Sequence, residues 1–263
     1  MENVNKTLYI PLYGKALVSE KGILLKDKKA QEIWAKESFK LKGKSKSKWL
    51  AYYMAMRARV FDEWVKANAG KNSCQVLHIG CGLDSRVERA QAECSLWADV
   101  DFPDVIQTRK LYYAENENYR MIGADAREIE WLEKLPNAKT AIVVMEGISM
   151  YLAPEELKKL LSGICGKYES VRVLIDCYTV LAAKLSKHRN PVNDVGVTNV
   201  YGIDDPQTLT EGTGLSFVKE WELTPAYMIE ELQGLEKKIF QKLYAGGFSK
   251  KLYKMYEYEK ARF

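Results

Sequence analysis

Residues 76–86 read Val-Leu-His-Ile-Gly-Cys-Gly-Leu-Asp-Ser-Arg, and this segment is the most informative of the chain. It reads as a short apolar strand that breaks into a Gly-x-Gly turn, where a backbone without side chains can approach a ligand closely. About twenty residues later a second apolar strand ends in two acids, Asp99 and Asp101. A carboxylate at that strand end can accept hydrogen bonds from two ribose hydroxyls. The two strand ends therefore predict a nucleoside site in an open α/β sheet.

The same turn indicates which nucleoside cofactor fits. It lacks the third glycine of a dinucleotide fingerprint, since position 85 is Ser and Asp84 precedes it. A pyrophosphate would meet the Asp84 carboxylate at the start of the following helix, which is unfavourable for two anions. S-adenosylmethionine (SAM) carries a nucleoside and no phosphate. The residues favour SAM over NAD, and a turn that binds no ligand is the remaining alternative.

Composition bounds the class of protein. The chain has 263 residues, of which 47% are hydrophobic, enough for a sizeable core. A net charge of +5 is modest for a nucleic-acid binder, so we expect a small-molecule partner and no nucleic acid. The five cysteines are odd in number and lack metal-ligand spacing, which predicts reduced thiols and no metal site. No segment reads as a signal peptide or a membrane span, so we expect a cytoplasmic protein without a membrane partner.

Strands and helices alternate from residue 74 onward. Apolar runs predict strands at 75–79, 95–100, 119–123, 140–145 and 171–177. Helices are expected to begin near Arg86, Pro103, Ala126 and Pro154. Such alternation implies parallel strands joined by right-handed crossovers.

The two ends of the chain follow other patterns. Helical spacing covers 28–40 and 49–69, and the basic segment 42–48 between them is expected to be a solvated connection, with a mobile lid as the alternative. Near the other end we predict strands at 215–223 and 252–258 and a helix near 226–244. The predicted organisation is one domain over 1–263, with a helical cap at 1–70, a cofactor-binding core at 71–178 and a substrate loop with terminal strands at 179–263.

Five short motifs occur in an order and at intervals typical of one family. They are 58–62 (ARVFD), 80–86 (GCGLDSR), 99–103 (DVDFP, with Lys110 after it), 123–126 (GADA) and 146–152 (EGISMYL). Over roughly residues 12–225 the chain resembles leucine carboxyl methyltransferases and their bacterial polyketide O-methyltransferase relatives. Asp99, Ala126 and Cys81 stand where that family more often has Glu, Leu and Ala. The resemblance implies an α/β fold, the Rossmann-like seven-stranded, mostly parallel sheet of class I SAM-dependent methyltransferases, with an N-terminal helical cap.

The resemblance also implies how the nucleoside is bound. Gly80 and Gly82 would let the backbone pass under the methionine part of SAM. Asp101 would bind the ribose hydroxyls, with Asp99 as the alternative for that role. Asp101 also precedes Pro103, so a helix N-cap is its plain structural alternative.

Four further residues are implied at the cofactor. Asp125 and Ala126 would flank the adenine, although Asp125 could instead cap a helix. Glu146 would meet the amino group or the sulfonium of SAM, and a buried structural glutamate is the alternative. Arg59 would bind the SAM carboxylate, unless it is an ordinary surface arginine. Lys15 is expected to assist from the N-terminal segment, whereas His78 is expected to be a core residue.

The acceptor pocket is expected beyond the strand ends, formed by 178–205 and the N-terminal helices. Tyr178 and Tyr201 are the predicted substrate-positioning residues, and His188 and Arg189 are further candidates. Each of them could equally be an ordinary loop residue.

The chemistry of SAM limits what the protein must supply. Its sulfonium methyl is already activated, so the protein mainly aligns a nucleophile. A carboxylate is ionised at neutral pH and needs no general base, whereas a hydroxyl needs one. We predict a SAM-dependent O-methyltransferase acting on a carboxylate of a small molecule or peptide end. The alternatives are a hydroxyl O-methyltransferase of polyketide-type metabolites and a non-catalytic SAM-binding protein.

Overall fold

The framework of the computed structural model, which describes residues 7–70, 73–186 and 200–260, is a seven-stranded sheet. Its strands are β1 (Cys74–Ile79), β2 (Leu96–Asp101), β3 (Tyr119–Gly123), β4 (Thr140–Met145), β5 (Ser170–Tyr178), β6 (Ser216–Glu220) and β7 (Tyr253–Lys260). Their order is β3-β2-β1-β4-β5-β7-β6. The first five strands are parallel, and β7 runs antiparallel to both β5 and β6. The predicted α/β fold with its mostly parallel seven-stranded sheet is confirmed.

Helices flank both faces of the sheet. They are α1 (Tyr9–Glu20), α2 (Lys28–Lys36), α3 (Lys48–Asn68), α4 (Arg86–Arg89), α5 (Pro103–Arg109), α6 (Pro154–Lys167), α7 (Val180–Ser186), α8 (Ala226–Ile229) and α9 (Gly234–Leu243). Short 3₁₀ turns lie at Gly43–Lys46, Ile129–Lys134, Ser149–Tyr151, Pro206–Leu209 and Ser249–Lys251. The predicted strands all appear, and most of their bounds agree to within one or two residues.

Two predicted helices differ from the structure. No regular helix begins at Ala126: the Asp125 carboxylate accepts a hydrogen bond from the Arg127 amide, and only a 3₁₀ turn forms after this bend. The helix expected near 226–244 is divided into α8 and α9. Gly234, with a φ of +54°, lies at the break and permits a backbone conformation that a regular helix does not contain.

The strands are buried on both faces because their apolar side chains alternate between two layers. Val76 of β1 packs with helices α1, α2 and α3, whereas Leu77 and Ile79 pack on the other face with α6. All six residues of β1 are buried. Continuous apolar runs are typical of parallel strands covered on both sides.

The arrangement brings the carboxyl ends of β1, β2, β4 and β5 to one edge of the sheet, where open α/β sheets bind ligands. Helices α1 and α3 contribute residues to the same edge. Within the described ranges, no helix is both long and apolar enough to cross a bilayer.

A candidate cofactor and acceptor cavity

One cavity of about 760 Å³ opens at this edge of the sheet. Its wall includes most of the residues singled out from the sequence. These are Lys15, Gly80, Gly82, Asp101, Asp125, Ala126, Glu146 and Tyr178. The structure thus brings the ends of strands β1, β2, β3, β4 and β5 together with Lys15 of α1.

The floor of the cavity is the turn after β1. Gly80 and Gly82 have φ of +73° and +51°, values that favour glycine. A Cβ on Gly80 would lie 2.8 Å from the Ile148 side chain, so no other residue fits without displacement. The turn therefore presents bare backbone to the cavity, as a closely approaching ligand requires.

Asp101 is the carboxylate at the end of β2 that reaches the cavity. It accepts hydrogen bonds from the backbone amides of Gly82 (2.7 Å) and Phe102 (2.8 Å). Burial raises the pKa of Asp101 to about 6. The alternative that Asp101 caps α5 is wrong, because the cap position is Phe102 and no side chain caps that helix.

Asp99 does not line the cavity, and the prediction that it contacts the cofactor is corrected. It precedes Asp101 by two residues, so it points to the same face of the sheet but one pleat deeper. Its fully buried carboxylate pairs with Arg109 and accepts from Tyr119 (2.6 Å) and Trp97 (2.8 Å). Burial opposes ionisation, but Arg109 outweighs it and lowers the pKa of Asp99 to about 2. Asp99 is a structural ion-pair partner.

The arginine on the cavity wall is Arg57, and the prediction of Arg59 is corrected. Two residues on a helix are separated by about 200°, so the two side chains leave α3 on nearly opposite sides. Arg59 pairs with Glu63 (2.9 Å) and with Glu231. The surface-arginine alternative describes Arg59 correctly. Leu50 lines the cavity two turns before Arg57, at a spacing that marks the inward face of α3.

Arg57 links the ends of three strands. Its guanidinium lies 2.9 Å from the Glu146 carboxylate after β4 and 3.0 Å from Asp176 of β5. It also donates to the Tyr253 hydroxyl at the start of β7 (2.8 Å). Tyr253 in turn donates to Asp176 (2.9 Å). Arg57, Asp176 and Tyr253 were not predicted from the sequence, and their pairing spans up to 196 residues.

Glu146 is both buried and on the cavity wall. A structural role and a contact with the cofactor, the two alternatives for this residue, are therefore compatible. It accepts hydrogen bonds from Arg57 and Arg86. Burial opposes ionisation of Glu146, but these two cations lower its pKa to about 2. Burial raises the pKa of the neighbouring Asp176 to about 6 despite Arg57. The two arginines thus favour the ionised form of Glu146, whereas burial favours the protonated form of Asp176.

Lys15 and Asp84 form a second buried pair beside the turn. The Lys15 ammonium lies 2.7 Å from the Asp84 carboxylate, and the Asp84 carboxylate also pairs with Arg89 (2.9 Å). Burial opposes ionisation of Asp84, but Arg89 and Lys15 hold its pKa well below the ordinary value. Asp84 is therefore an anion at the start of α4, as the sequence argument against a pyrophosphate requires.

Asp125 and Ala126 line the far end of the cavity, after β3. The Asp125 carboxylate is paired with Arg127, whose hydrogen bonds lower the pKa of Asp125. It bonds the amide two residues ahead and is not the cap of a helix. Ala126 is buried and adds a small apolar surface.

The two residues predicted to position the acceptor lie in different places. Tyr178 lies on the wall, whereas Tyr201 is 48% exposed and absent from the described lining, which corrects its predicted role. The backbone amide of Tyr201 bonds Met150, so this residue instead fastens a connection to the strand ends. His188 and Arg189 lie outside the described residues.

His78 combines burial with a position on the cavity wall. Its Nδ1 lies 3.1 Å from Asp99, and its Nε2 lies 3.0 Å from Arg86. Burial lowers the pKa of His78. Its expected place in the core is confirmed, and both ring nitrogens are engaged within it.

The wall fits a nucleoside cofactor without phosphates. The turn at Gly80 and Gly82 is a cradle that a Cβ would fill, and the Asp101 carboxylate follows beside it. Two cations on the wall, Lys15 and Arg57, are already paired with carboxylates. A pyrophosphate would bring two more negative charges, and cations that are already neutralised would stabilise it little.

Comparisons with known proteins agree with this geometry. The family model described as leucine carboxyl methyltransferase matches residues 3–165. The chain belongs to this family. It is a SAM-dependent methyltransferase, and SAM is its cofactor.

Two relatives are similar over most of the chain. "Tetracenomycin polyketide synthesis O-methyltransferase TcmP" of Streptomyces glaucescens is 32% identical over 70% of this chain and 69% of that protein. "S-adenosyl-L-methionine-dependent methyltransferase dpfgK" of Gibberella zeae is 28% identical over 66% of this chain and 64% of that protein. The solved magnesium protoporphyrin IX methyltransferase ChlM from Synechocystis PCC 6803 with bound SAH has a TM-score of 0.52 at 14% identity. It covers 89% of this chain and 93% of its own, and shares the fold.

Proposed function

We propose that this methyltransferase transfers the SAM methyl group to an oxygen of a small molecule, and that this oxygen belongs to a carboxylate. The observation that carries the proposal is a second half of the cavity, at the end of β5 and the start of β7, beside the turn that would hold the cofactor. The rings of Tyr178 and Tyr253 pack edge to face there, with centroids 5.1 Å apart. Aromatic and aliphatic walls suit an apolar acceptor of small size.

Each cofactor role is part of the proposal. Asp101 would accept the two ribose hydroxyls, since a carboxylate has acceptor sites left beyond its two backbone bonds. Asp125 and Ala126 would flank the adenine, and Gly80 with Gly82 would lie under the methionine part.

The cations and Glu146 would hold the polar end of the cofactor. Lys15 and Arg57 would face its carboxylate and Glu146 its amino group. This end of the cofactor carries one negative and one positive charge, so both cations would keep their ion pairs with Asp84 and Glu146. Once bound, SAM supplies a methyl group that is already activated for transfer. The remaining task of the chain is to hold the acceptor oxygen in line and to keep water out.

A carboxylate acceptor is favoured because the histidine on the described wall is not a free base. His78 has both ring nitrogens engaged and a lowered pKa. An ionised carboxylate needs no proton removed before attack. The family description names a carboxyl methyltransferase, and the name of the TcmP relative contains O-methyltransferase. Both support an oxygen acceptor here.

A hydroxyl acceptor is the second candidate, and one observation favours it. The Tyr253 hydroxyl donates to the Asp176 carboxylate, whose pKa is raised to about 6 by burial. A carboxylate with that pKa can accept a proton near neutral pH through the phenol.

The two candidates are separated by the product. Wild-type protein is incubated with SAM and matched arenes that carry either a carboxylate or a hydroxyl, and release of S-adenosylhomocysteine (SAH) is measured. We expect turnover with carboxylates and a product that alkali hydrolyses. An alkali-stable product formed only from the hydroxyl compounds would replace the carboxylate with the second candidate, and SAH binding without any product would favour a cofactor-binding role.

The setting of the reaction is also proposed. Three statements remain predictions from the sequence. The acceptor is a small molecule and not a nucleic acid, the protein is cytoplasmic, and the chain is a single domain with a helical cap, a cofactor-binding core and a substrate loop with terminal strands. A modest net charge of +5 supports the first of these.

A further inference from the structure

Helix α3 presents a row of side chains to the cavity. They are Leu50, Tyr53, Met54 and Arg57, at the spacing of one helix face. Tyr53 therefore stands one turn before Arg57 and on the same side. Its neighbour Tyr52 points elsewhere: it is fully buried and its hydroxyl bonds Glu236 at 2.8 Å.

The hydroxyl of Tyr53 differs from the other polar groups of this region. Among the described residues it has no hydrogen-bond partner, whereas the Tyr253 hydroxyl has two. The Tyr53 ring lies against that of Tyr253, with centroids 6.2 Å apart. Burial raises the pKa of Tyr53, so its phenol stays protonated at neutral pH. Tyr53 thus offers a free donor in the acceptor half of the cavity.

The cations nearby are not available to the acceptor, because both are paired with carboxylates of the chain and would face the carboxylate of the cofactor. The Arg57 guanidinium is held by Glu146, Asp176 and Tyr253. The Lys15 ammonium is paired with Asp84. A buried carboxylate must still receive hydrogen bonds to replace those it had with water.

We propose that Tyr53 binds the acceptor by donating a hydrogen bond to the carboxylate oxygen that is not methylated. This inference rests on the proposed function, because it assumes a carboxylate acceptor. Holding one oxygen directs the other toward the methyl carbon. The second oxygen forms a bond to that carbon while the carbon–sulfur bond breaks. The electron pair stays on sulfur, a neutral ester and a neutral thioether result, and no proton is transferred.

The test compares two tyrosine variants of the full chain. Tyr53→Phe removes the free hydroxyl, and Tyr52→Phe removes a hydroxyl one residue away that lies outside the cavity. Benzoate, 1-naphthoate and 2-naphthoate serve as acceptors, and the acid with the highest wild-type kcat/KM is used for the variants. SAH affinity and thermal unfolding are measured for each protein.

For Tyr53→Phe we expect kcat/KM to fall about 10- to 100-fold, as for one lost hydrogen bond to a charged group. Most of this change should appear in KM, and the SAH affinity of Tyr53→Phe should stay within about twofold of wild type. The kcat/KM of Tyr52→Phe should also stay within about twofold of wild type. A Tyr53→Phe enzyme with wild-type kcat/KM and KM would overturn the inference while leaving carboxylate methylation intact. Wild-type protein that esterifies none of the acids would overturn the proposed carboxylate acceptor and this inference with it.

Discussion

The two acids of β2 provide a prediction in which affinity and stability change separately. Asp101→Ala removes a carboxylate on the cavity wall, and Asp99→Ala removes one that is fully buried beneath it. We expect the first variant to lose SAH binding and keep most of its stability. We expect the second to lose stability first.

The magnitudes follow from the partners of each carboxylate. A hydrogen bond to a charged group contributes about 1.5–3 kcal/mol, so losing two ribose contacts at Asp101 should weaken SAH binding at least about 100-fold. The two backbone amides also donate to this carboxylate, but burial raises its pKa to about 6, so the ionised group costs folding free energy that its removal returns. Asp99→Ala instead leaves Arg109 buried without its carboxylate, which costs about 3–5 kcal/mol. For a chain of this size that lowers the Tm by roughly 6–20 °C.

The assay pairs calorimetric titration with SAH and thermal unfolding of the same preparations. Circular dichroism at the titration temperature shows that each variant is folded. The reasoning is refuted if Asp99→Ala unfolds at the wild-type temperature and loses more SAH affinity than Asp101→Ala. That result would mean that Asp99, and not Asp101, contacts the ribose.

Three further outcomes follow from the same site. Arg57→Ala should lower the unfolding free energy by about 3–5 kcal/mol, because the buried carboxylates of Glu146 and Asp176 lose their partner. Arg59→Ala should change it by about 1 kcal/mol or less, and urea titrations measure both variants. Gly80→Ala should abolish SAH binding by calorimetry because its Cβ would lie 2.8 Å from a side chain, whereas Gly22→Ala, at a similar φ in open space, should bind normally. SAH affinity should fall from pH 7 to pH 5 because Asp101, with a pKa of about 6, loses an acceptor when protonated; a pH-independent affinity would contradict this.

The sheet was predictable because its signals are local. Each of the strands β1 to β4 is an apolar run that ends at a glycine or an acid, and such boundaries are visible directly in the sequence. The turn at Gly80 and Gly82 gave the edge where ligands bind. The helix expected at Ala126 was not predictable in the same way, since the bond from Asp125 to a nearby amide competes with helix formation.

The site was predictable only where a residue stands at a strand end. Arg57 and Arg59 are the same residue type two positions apart, and a motif alone does not tell which faces the cavity. One local signal was available: Glu63 lies four residues after Arg59, a spacing typical of an exposed ion pair. No local signal pointed to Tyr253, because its contact with Arg57 spans 196 residues. The burial of Asp99 likewise depends on Arg109, which lies on the following helix.

A crystal structure of the protein with SAH tests the central claim most directly. The account predicts the ribose hydroxyls at hydrogen-bond distance, about 2.7–3.0 Å, from the Asp101 carboxylate, with the adenine against Ala126 and the backbone of Gly80 under the sulfur-bearing chain. SAH bound outside this cavity, or with its ribose on any residue other than Asp101, would contradict it.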